Sequence, residues 1–494
     1  MRFRAALLLF AGLNLGAATC ESLATLTLPH ATITEARSYA AGELLGPNGQ
    51  PVPDLPAFCR VQGVSKPTDD SDIRFEVWLP AAKWNGKFRG AGNGGFAGSI
   101  SQGELAAAVR VGYAAASTDT GHRGGDASWA LGHPQKTIDF GWRAIHEAAE
   151  KGKAITAAFY GDAPRRSYFN GCSNGGRQAL MEAQRFPEDY DGIVAGAPAN
   201  YWTHLMTRAV WDVQALMNDP GAYIPATKIP AIESAVVSAC DAIDGVTDGV
   251  IDDPTRCKFD PAVLLCGDAE SDTCLTKPQV NALRKLVSGP QNSKGQVVFP
   301  GVAWGGAAGT GGWGAWLTGA APGKSLGYMF GTQFFTNMVH EDAAWDFHTF
   351  TVDREMKLAD DKVATALNAT DPNLKRFQDR GGKLIVYHGW SDAAISPQNA
   401  IDYYTSVIRQ MGSKNVDGFV RLYMVPGMQH CGGGPGPNTF NMPLAMERWV
   451  EEGAAPDRVI AKNAQRTRPL CPYPLVAKYT GKGSTDDAAN FVCK

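Results

Sequence analysis

Gly171-Cys172-Ser173-Asn174-Gly175 is the strongest constraint in this chain. The pattern G-x-S-x-G marks a sharp turn from a strand into a helix. Its glycines are required because bulkier neighbours of the serine would strike the adjoining backbone. Ser167 to Asn170 reads as a short strand, and Arg177 to Phe186 as a helix stopped by Pro187. A turn of this kind lifts the Ser173 hydroxyl clear of a sheet and aims the N–H of Asn174 at an oxyanion formed there. Far downstream, His430 is followed by Cys431, just as Ser173 is preceded by Cys172. If those two sulfurs are bonded, Ser173 and His430 share one site.

The chain has 494 residues, more than one ordinary core accommodates. A formal net charge of -3 gives no footprint for nucleic acid or an acidic membrane face. Met1 to Arg4 is basic, Ala5 to Leu15 is a short apolar run, and Gly16-Ala17-Ala18 has the small residues of a cleavage site. Residues 1–18 therefore read as an export signal. No later stretch reaches the roughly 20 apolar residues of a spanning helix. An acylated Cys20 is the weaker reading, because Thr19 suits that modification poorly. Ten cysteines in an exported chain favour disulfides, and the absence of Cys-x-x-Cys argues against zinc ribbons and thioredoxin-like chemistry. Local spacing suggests Cys240–Cys257, Cys266–Cys274 and Cys471–Cys493. Cys20–Cys59 would tie down the N-terminus, which leaves Cys172 and Cys431.

Strand–helix alternation runs through two blocks. In the first, Ile73 to Leu79, Phe88 onward, Gly112 to Ser117 and Gly192 to Pro198 read as strands, and Thr137 to Phe159 as a helix. In the second, Lys383 to His388 and Phe419 to Val425 read as strands around the helix Ile401 to Met411. Between them the chain is rich in Gly, Trp and Asp and shows no alternation. The expected architecture is a mostly parallel sheet covered on both faces, built from residues 19–200 and 381–494, with an inserted lid domain over 201–380.

A hydrolase with such an elbow orders its triad Ser, acid, His. Asp392 follows a later strand and His430 lies in the loop after the next one. Asp402 is a rival acid but falls inside a helical pattern. His430 would take the Ser173 proton and return it to the leaving group, and Asp392 would orient the imidazole. A second oxyanion donor is expected from Gly92-Asn93-Gly94-Gly95, with Gly95 favoured over Gly94.

Cys172-Ser173, Asp392 and His430-Cys431 resemble the Cys-Ser–Asp–His-Cys pattern of the tannase and feruloyl esterase family, which includes a mono(2-hydroxyethyl) terephthalate hydrolase. The resemblance implies an α/β-hydrolase core with a large inserted lid, a bond between Cys172 and Cys431, and a structural calcium in the lid. Residues 240–253 concentrate carboxylates and glycines as a calcium loop would, bracketed by Cys240 and Cys257. They are not an EF-hand. Carried over, the ligands would be the side chains of Asp241, Asp244 and Asp248 and the carbonyls of Val246 and Val250.

The implied substrate is a small aromatic ester. Trp313, Trp316 and Ile395 are the candidate pocket residues, since flat apolar surfaces suit aromatic acids. The family's terephthalate enzyme uses a lid arginine for the free carboxylate, and no arginine occurs between Val302 and Val352. This favours a hydroxycinnamoyl or galloyl ester over a terephthalate monoester. A serine peptidase and an inactive binding protein on the same fold are the alternatives from other classes.

Overall fold

The computed structural model describes residues 18–46 and 49–494. Apart from Ala18, the export signal read over residues 1–18 lies outside the described residues. One sheet organises the molecule. Its strands are β1 (Ala31–Tyr39), β2 (Phe58–Ser65), β3 (Ile73–Pro80), β4 (Lys87–Ala91), β5 (Ala114–Thr118), β6 (Arg166–Cys172), β7 (Gly192–Gly196), β8 (Lys383–Gly389) and β9 (Val420–Val425), in the order β1-β2-β3-β5-β4-β6-β7-β8-β9. From β5 to β9 every pairing is parallel. β1, β2 and β3 extend the sheet in antiparallel fashion.

Burial follows this division. β5 and β7 are buried at every residue, as parallel strands covered on both faces must be. Edge strand β1 buries only Ile33 of its nine residues. Its polar sequence, Ala-Thr-Ile-Thr-Glu-Ala-Arg-Ser-Tyr, carries little apolar signal, and neither β1 nor β2 was expected. The helix expected over Thr137 to Phe159 is interrupted. Pro134–Ile138 is α-helical, Asp139–Arg143 forms a wider π-helical turn, and Ala144–Tyr160 resumes the α-helix. Within the wide turn, Arg143 Nε lies 2.9 Å from the buried Asp139 carboxylate.

After β7 the chain leaves the sheet, to return at β8. The intervening residues are helical, which the Gly- and Trp-rich composition had hidden. The principal helices are Trp202–Met217, Ile229–Cys240, Lys277–Ser288, Leu326–Phe334 and Val352–Leu367. Ile232, Leu283, Leu286, Trp304 and Trp313 share an apolar cluster there. The start of Lys277–Ser288 is closed by a reciprocal Thr276/Gln279 capping box, which satisfies two otherwise free N–H groups.

Disulfides join Cys20–Cys59, Cys172–Cys431, Cys240–Cys257, Cys266–Cys274 and Cys471–Cys493. No free cysteine remains among the described residues. No helix among the described residues is long and apolar enough to cross a membrane.

Candidate active site

β6 ends at Cys172 and the helix Asn174–Arg185 begins one residue after Ser173. Ser173 bridges them at φ 66° and ψ −124°, a region costly for a residue with a side chain. The surroundings hold it there. Ser173 N–H donates to the Gly196 carbonyl at 3.0 Å, and the Ser173 carbonyl accepts from Arg177 N–H and Ala199 N–H, each at 3.1 Å. A Cβ on Gly171 would lie 2.5 Å from the Gly175 carbonyl oxygen, and one on Gly176 only 2.2 Å from the Gly196 oxygen. Gly175 itself is less crowded, since its nearest neighbour would be Asn93 O at 3.2 Å. The tight packing of helix on sheet thus falls on Gly171 and Gly176.

Arg177 anchors the first turn of that helix. Its fully buried guanidinium donates to Asn174 Oδ1 and to the carbonyls of Phe140, Gly141 and Leu367. It also lies over the Phe140 and Trp202 rings. Burial brings its pKa down to about 9.

β8 delivers Asp392 and the loop after β9 delivers His430. His430 Nδ1 lies 2.8 Å from Asp392 Oδ2. Asp392 Oδ1 accepts from the N–H groups of Ala394 and Ile395, both at 2.9 Å. Burial would push this carboxyl up. The adjacent His430 imidazole and hydrogen bonds from His388 and His430 outweigh it and hold Asp392 well below the usual carboxylate range. Asp402 stands apart in the helix Pro397–Met411, accepting from Gln398. Ser173 Oγ has no hydrogen-bond partner among the described residues, although Ser173 and His430 line one pocket. Such catalytic contacts commonly tighten only when substrate arrives.

His388 is a partner of Asp392 that the sequence did not assign. Wholly buried in β8, it places Nε2 3.1 Å from Asp392 Oδ2 and 3.0 Å from the Ile395 carbonyl. Both are acceptors, so Nε2 carries the proton. Its Nδ1 is buried without a partner. The signal was present in His388-Gly389-Trp390-Ser391-Asp392, but only the turn after β8 reveals that the ring folds back onto the acid.

The Cys172–Cys431 bond spans Cα atoms 6.0 Å apart and closes a sequence separation of 259. Cys431 has φ 62°, so Ser173 and Cys431 both hold left-handed backbone beside this bridge. Gln429, immediately before His430, ties the same loop to the segment between β7 and β8 by donating to the carbonyls of Gly306 and Ala308.

Asn174 and Gly95 line the pocket with Ser173, whereas Gly94 does not and instead accepts from Ala97 N–H. Gly95 has φ 58°. Its loop is pinned from behind. Asn93 Nδ2 donates to Ser99 and Thr118 carbonyls, Gln178 accepts from Asn93 N–H, and His122 Nε2 donates to Phe96 O at 2.7 Å.

The pocket has walls from Trp202, Leu205, Met206, Trp316, Phe330 and Ile395. Trp316 stands edge-on to the His430 ring at 4.9 Å. Trp313 does not line it. The turn Gly314–Thr318 carries Trp316 to the cavity and leaves Trp313 in the apolar cluster of the segment between β7 and β8, 2% exposed. The expectation for Trp313 is thereby corrected.

In the acidic loop, Asp241 accepts from the N–H groups of Asp248 and Gly249. Asp244 accepts from Val246 N–H and Asp248 from Val250 N–H. Asp248 Oδ2 is also held by Arg466 at 2.6 Å and Arg468 at 2.5 Å. Burial, followed by the neighbouring Asp244 carboxylate, pushes Asp252 up to about 8. Among the described residues, no three acidic, histidine or cysteine side chains converge as a metal site.

Residues 59–494 match the family described as tannase and feruloyl esterase. A protein named as an uncharacterized esterase from Xanthomonas campestris pv. campestris is 42% identical, covering 96% of this chain and 91% of that one. Mono(2-hydroxyethyl) terephthalate hydrolase from Piscinibacter sakaiensis is 35% identical over 89% of this chain and 85% of its own. The crystal structure of feruloyl esterase B from Aspergillus oryzae superposes with a TM-score of 0.86 at 30% identity, covering 96% of this chain and 99% of that one. The chain belongs to the tannase and feruloyl esterase family.

Proposed function

We propose that this protein hydrolyses aromatic esters by a serine mechanism, with Ser173 as nucleophile, His430 as general base and acid, and Asp392 as the group that orients His430. Family membership makes it a carboxylic ester hydrolase of the feruloyl esterase and tannase type. The observation that carries the mechanism is the Asp392–His430 pair facing the same aromatic-walled pocket as Ser173 on its strained turn.

The steps follow from that placement. Ser173 Oγ adds to the ester carbonyl carbon as His430 Nε2 takes its proton. The carbonyl oxygen becomes an oxyanion received by the N–H groups of Asn174 and Gly95. Asp392, which stays ionised because two imidazoles face it, stabilises the imidazolium. Collapse breaks the bond to the alcohol, which leaves with the proton from His430. Ser173 is then acylated. Water, deprotonated by His430, adds to the acyl carbon, and the acid leaves as Ser173 recovers its proton.

Trp202, Trp316 and Phe330 favour a flat acyl group, and we assign a hydroxycinnamoyl or galloyl ester. Initial rates on methyl ferulate, methyl gallate, a terephthalate monoester and a peptide anilide test this, with Ser173→Ala as control. Ferulate or gallate should be fastest, and Ser173→Ala should lose roughly four to six orders of magnitude in kcat. Full activity in Ser173→Ala would overturn the mechanism, and a best rate on the anilide would overturn the ester assignment.

The carboxylates and carbonyls of residues 241–252 are the oxygen donors that calcium takes; Asp241, Asp244 and Asp248, whose side chains would have to draw together around the ion, would hold it with the carbonyls of Val246 and Val250. Its effect there would be to brace the lid. Purified protein should contain about one calcium per chain, and chelation should lower the melting temperature. Unchanged melting with no metal present would remove the site. Complete pairing of the described cysteines suits an oxidising compartment, and we propose export to the periplasm or cell exterior.

A further inference from the structure

Beside the pocket at Ser173 lies a second, smaller cavity. The two share Leu205, Ala209, Trp316, Gly327 and Ala394. The wall common to both is one face of the helix Trp202–Met217. Trp202, Leu205, Met206 and Ala209 line the catalytic end, and Arg208, Asp212 and Val213 line the far end. The spacing is that of a single helical face. Six residues separate Met206 from Asp212, an axial rise of about 9 Å. That suits the extended length of a conjugated phenylpropenoyl group whose ester carbonyl sits at Ser173.

Asp212 is 4% exposed. Its Oδ2 lies 3.0 Å from Arg208 Nε. Its Oδ1 is buried and has no hydrogen-bond partner among the described residues. An unmet buried carboxylate oxygen is costly, and nothing in the catalytic steps uses this one. Burial pushes the Asp212 carboxyl up to about 6 against the pull of Arg208, as an under-satisfied acceptor should behave. Arg208 has little to offer a ligand. Its Nη1 donates to the Ala394 carbonyl at 3.2 Å and its Nη2 to the Ala393 carbonyl at 3.0 Å. Ser325 Oγ, on the same cavity, accepts from Tyr328 N–H. The cavity therefore ends in an acceptor, and both terminal nitrogens of its one guanidinium are committed to carbonyls.

Resting on the aromatic-ester reading above, we infer that Asp212 selects the acyl group by accepting a hydrogen bond from its para-hydroxyl. A terephthalate monoester would bring a carboxylate against this carboxylate, with no free guanidinium to receive it. The same geometry thus separates two aromatic esters that the apolar walls do not distinguish.

The test is kcat/KM for methyl 4-hydroxycinnamate, methyl cinnamate and methyl 4-methoxycinnamate with wild type and Asp212→Asn. Wild type should prefer the 4-hydroxy ester over the other two by roughly ten- to a hundred-fold, the range of a hydrogen bond to a charged group. In Asp212→Asn, Arg208 retains the amide oxygen, so the amide N–H₂ turns toward the cavity. Acceptor becomes donor. The 4-hydroxy preference should fall to within about three-fold, and the rate on a terephthalate monoester should rise relative to cinnamate. Ratios within one preparation do not depend on the fraction folded. Equal wild-type rates on the 4-hydroxy and unsubstituted esters would overturn the assignment, as would a wild-type ratio preserved in Asp212→Asn. No hydrolysis of any of the three esters would instead overturn the aromatic-ester reading itself.

Discussion

The two ends of the substrate cavity are built on opposite plans. At the catalytic end the acid and the anchor of the nucleophile helix are held from several sides. Asp392 accepts four hydrogen bonds, Arg177 is tied to three carbonyls, and a disulfide crosses between the nucleophile and base loops. At the far end, one carboxylate oxygen is left open on the helix Trp202–Met217. Chemistry needs groups that do not move, so the sheet and its covalent brace fix them. Selection by Asp212, as inferred above, needs a group whose partner arrives with the substrate, and Asp212 Oδ1 is left unsatisfied. Three perturbations test how far this contrast holds.

The largest effect is expected from Cys172→Ser with Cys431→Ser. A cross-link over 259 residues restrains the unfolded chain by about 5 kcal/mol in the chain-entropy account. Melting temperature should fall by several degrees. If the bridge also positions His430 against Ser173, kcat/KM measured well below the new melting temperature should fall at least about ten-fold. Full kcat/KM in a destabilised double variant would reduce the bridge to a stability device and break the contrast on its rigid side.

The rigid side was also the more legible in sequence. Gly171 and Ser173 state a backbone requirement that holds wherever the motif occurs, so the elbow could be read from local residues, while the base followed from chain order and the bridge from the family resemblance. Asp392 followed from its place after a strand. The far end was not legible for the opposite reason. Arg208 and Asp212 lie one helical turn apart and look like an ordinary surface ion pair. Only packing of the helix Trp202–Met217 over Trp316 and Ala394 buries them. The tryptophans misled in the same way. Trp313 and Trp316 are three residues apart, and the wide turn Gly314–Thr318 sends one into the apolar cluster of its own segment and the other to His430. β1 and β2 went unseen because an edge pair alternates polar residues and has little apolar run to detect.

A smaller effect is expected at His388. His388→Phe keeps the volume but removes one donor from Asp392 Oδ2 and from the Ile395 carbonyl. kcat/KM should fall about ten-fold, close to the worth of one hydrogen bond to a charged group. His388→Gln, which restores a donor, should recover most of the rate. A rate in His388→Gln no higher than in His388→Phe would mean that His388 only fills space.

The smallest effect concerns the loop behind Gly95. Burial depresses His122 to about 4, whereas an unfolded histidine titrates near 6.5. The unfolded chain therefore binds a proton first. The stability His122 contributes is complete above about pH 6.5 and is lost as pH falls toward 4. Asp119, three residues earlier, has the opposite sign. Burial raises it to about 7, so its contribution grows as pH falls and masks that of His122 in a simple melting curve. The difference between His122→Phe and wild type isolates the histidine. The variant, which keeps the ring but has no donor, should be less stable at pH 7.5, having lost the bond to Phe96 O. The gap should narrow by a few degrees between pH 6.5 and pH 4.5, because wild type alone carries the histidine term. A gap that stays constant over that range would show that His122 accepts its proton in the fold, and that the loop presenting Gly95 is looser than the elbow it faces.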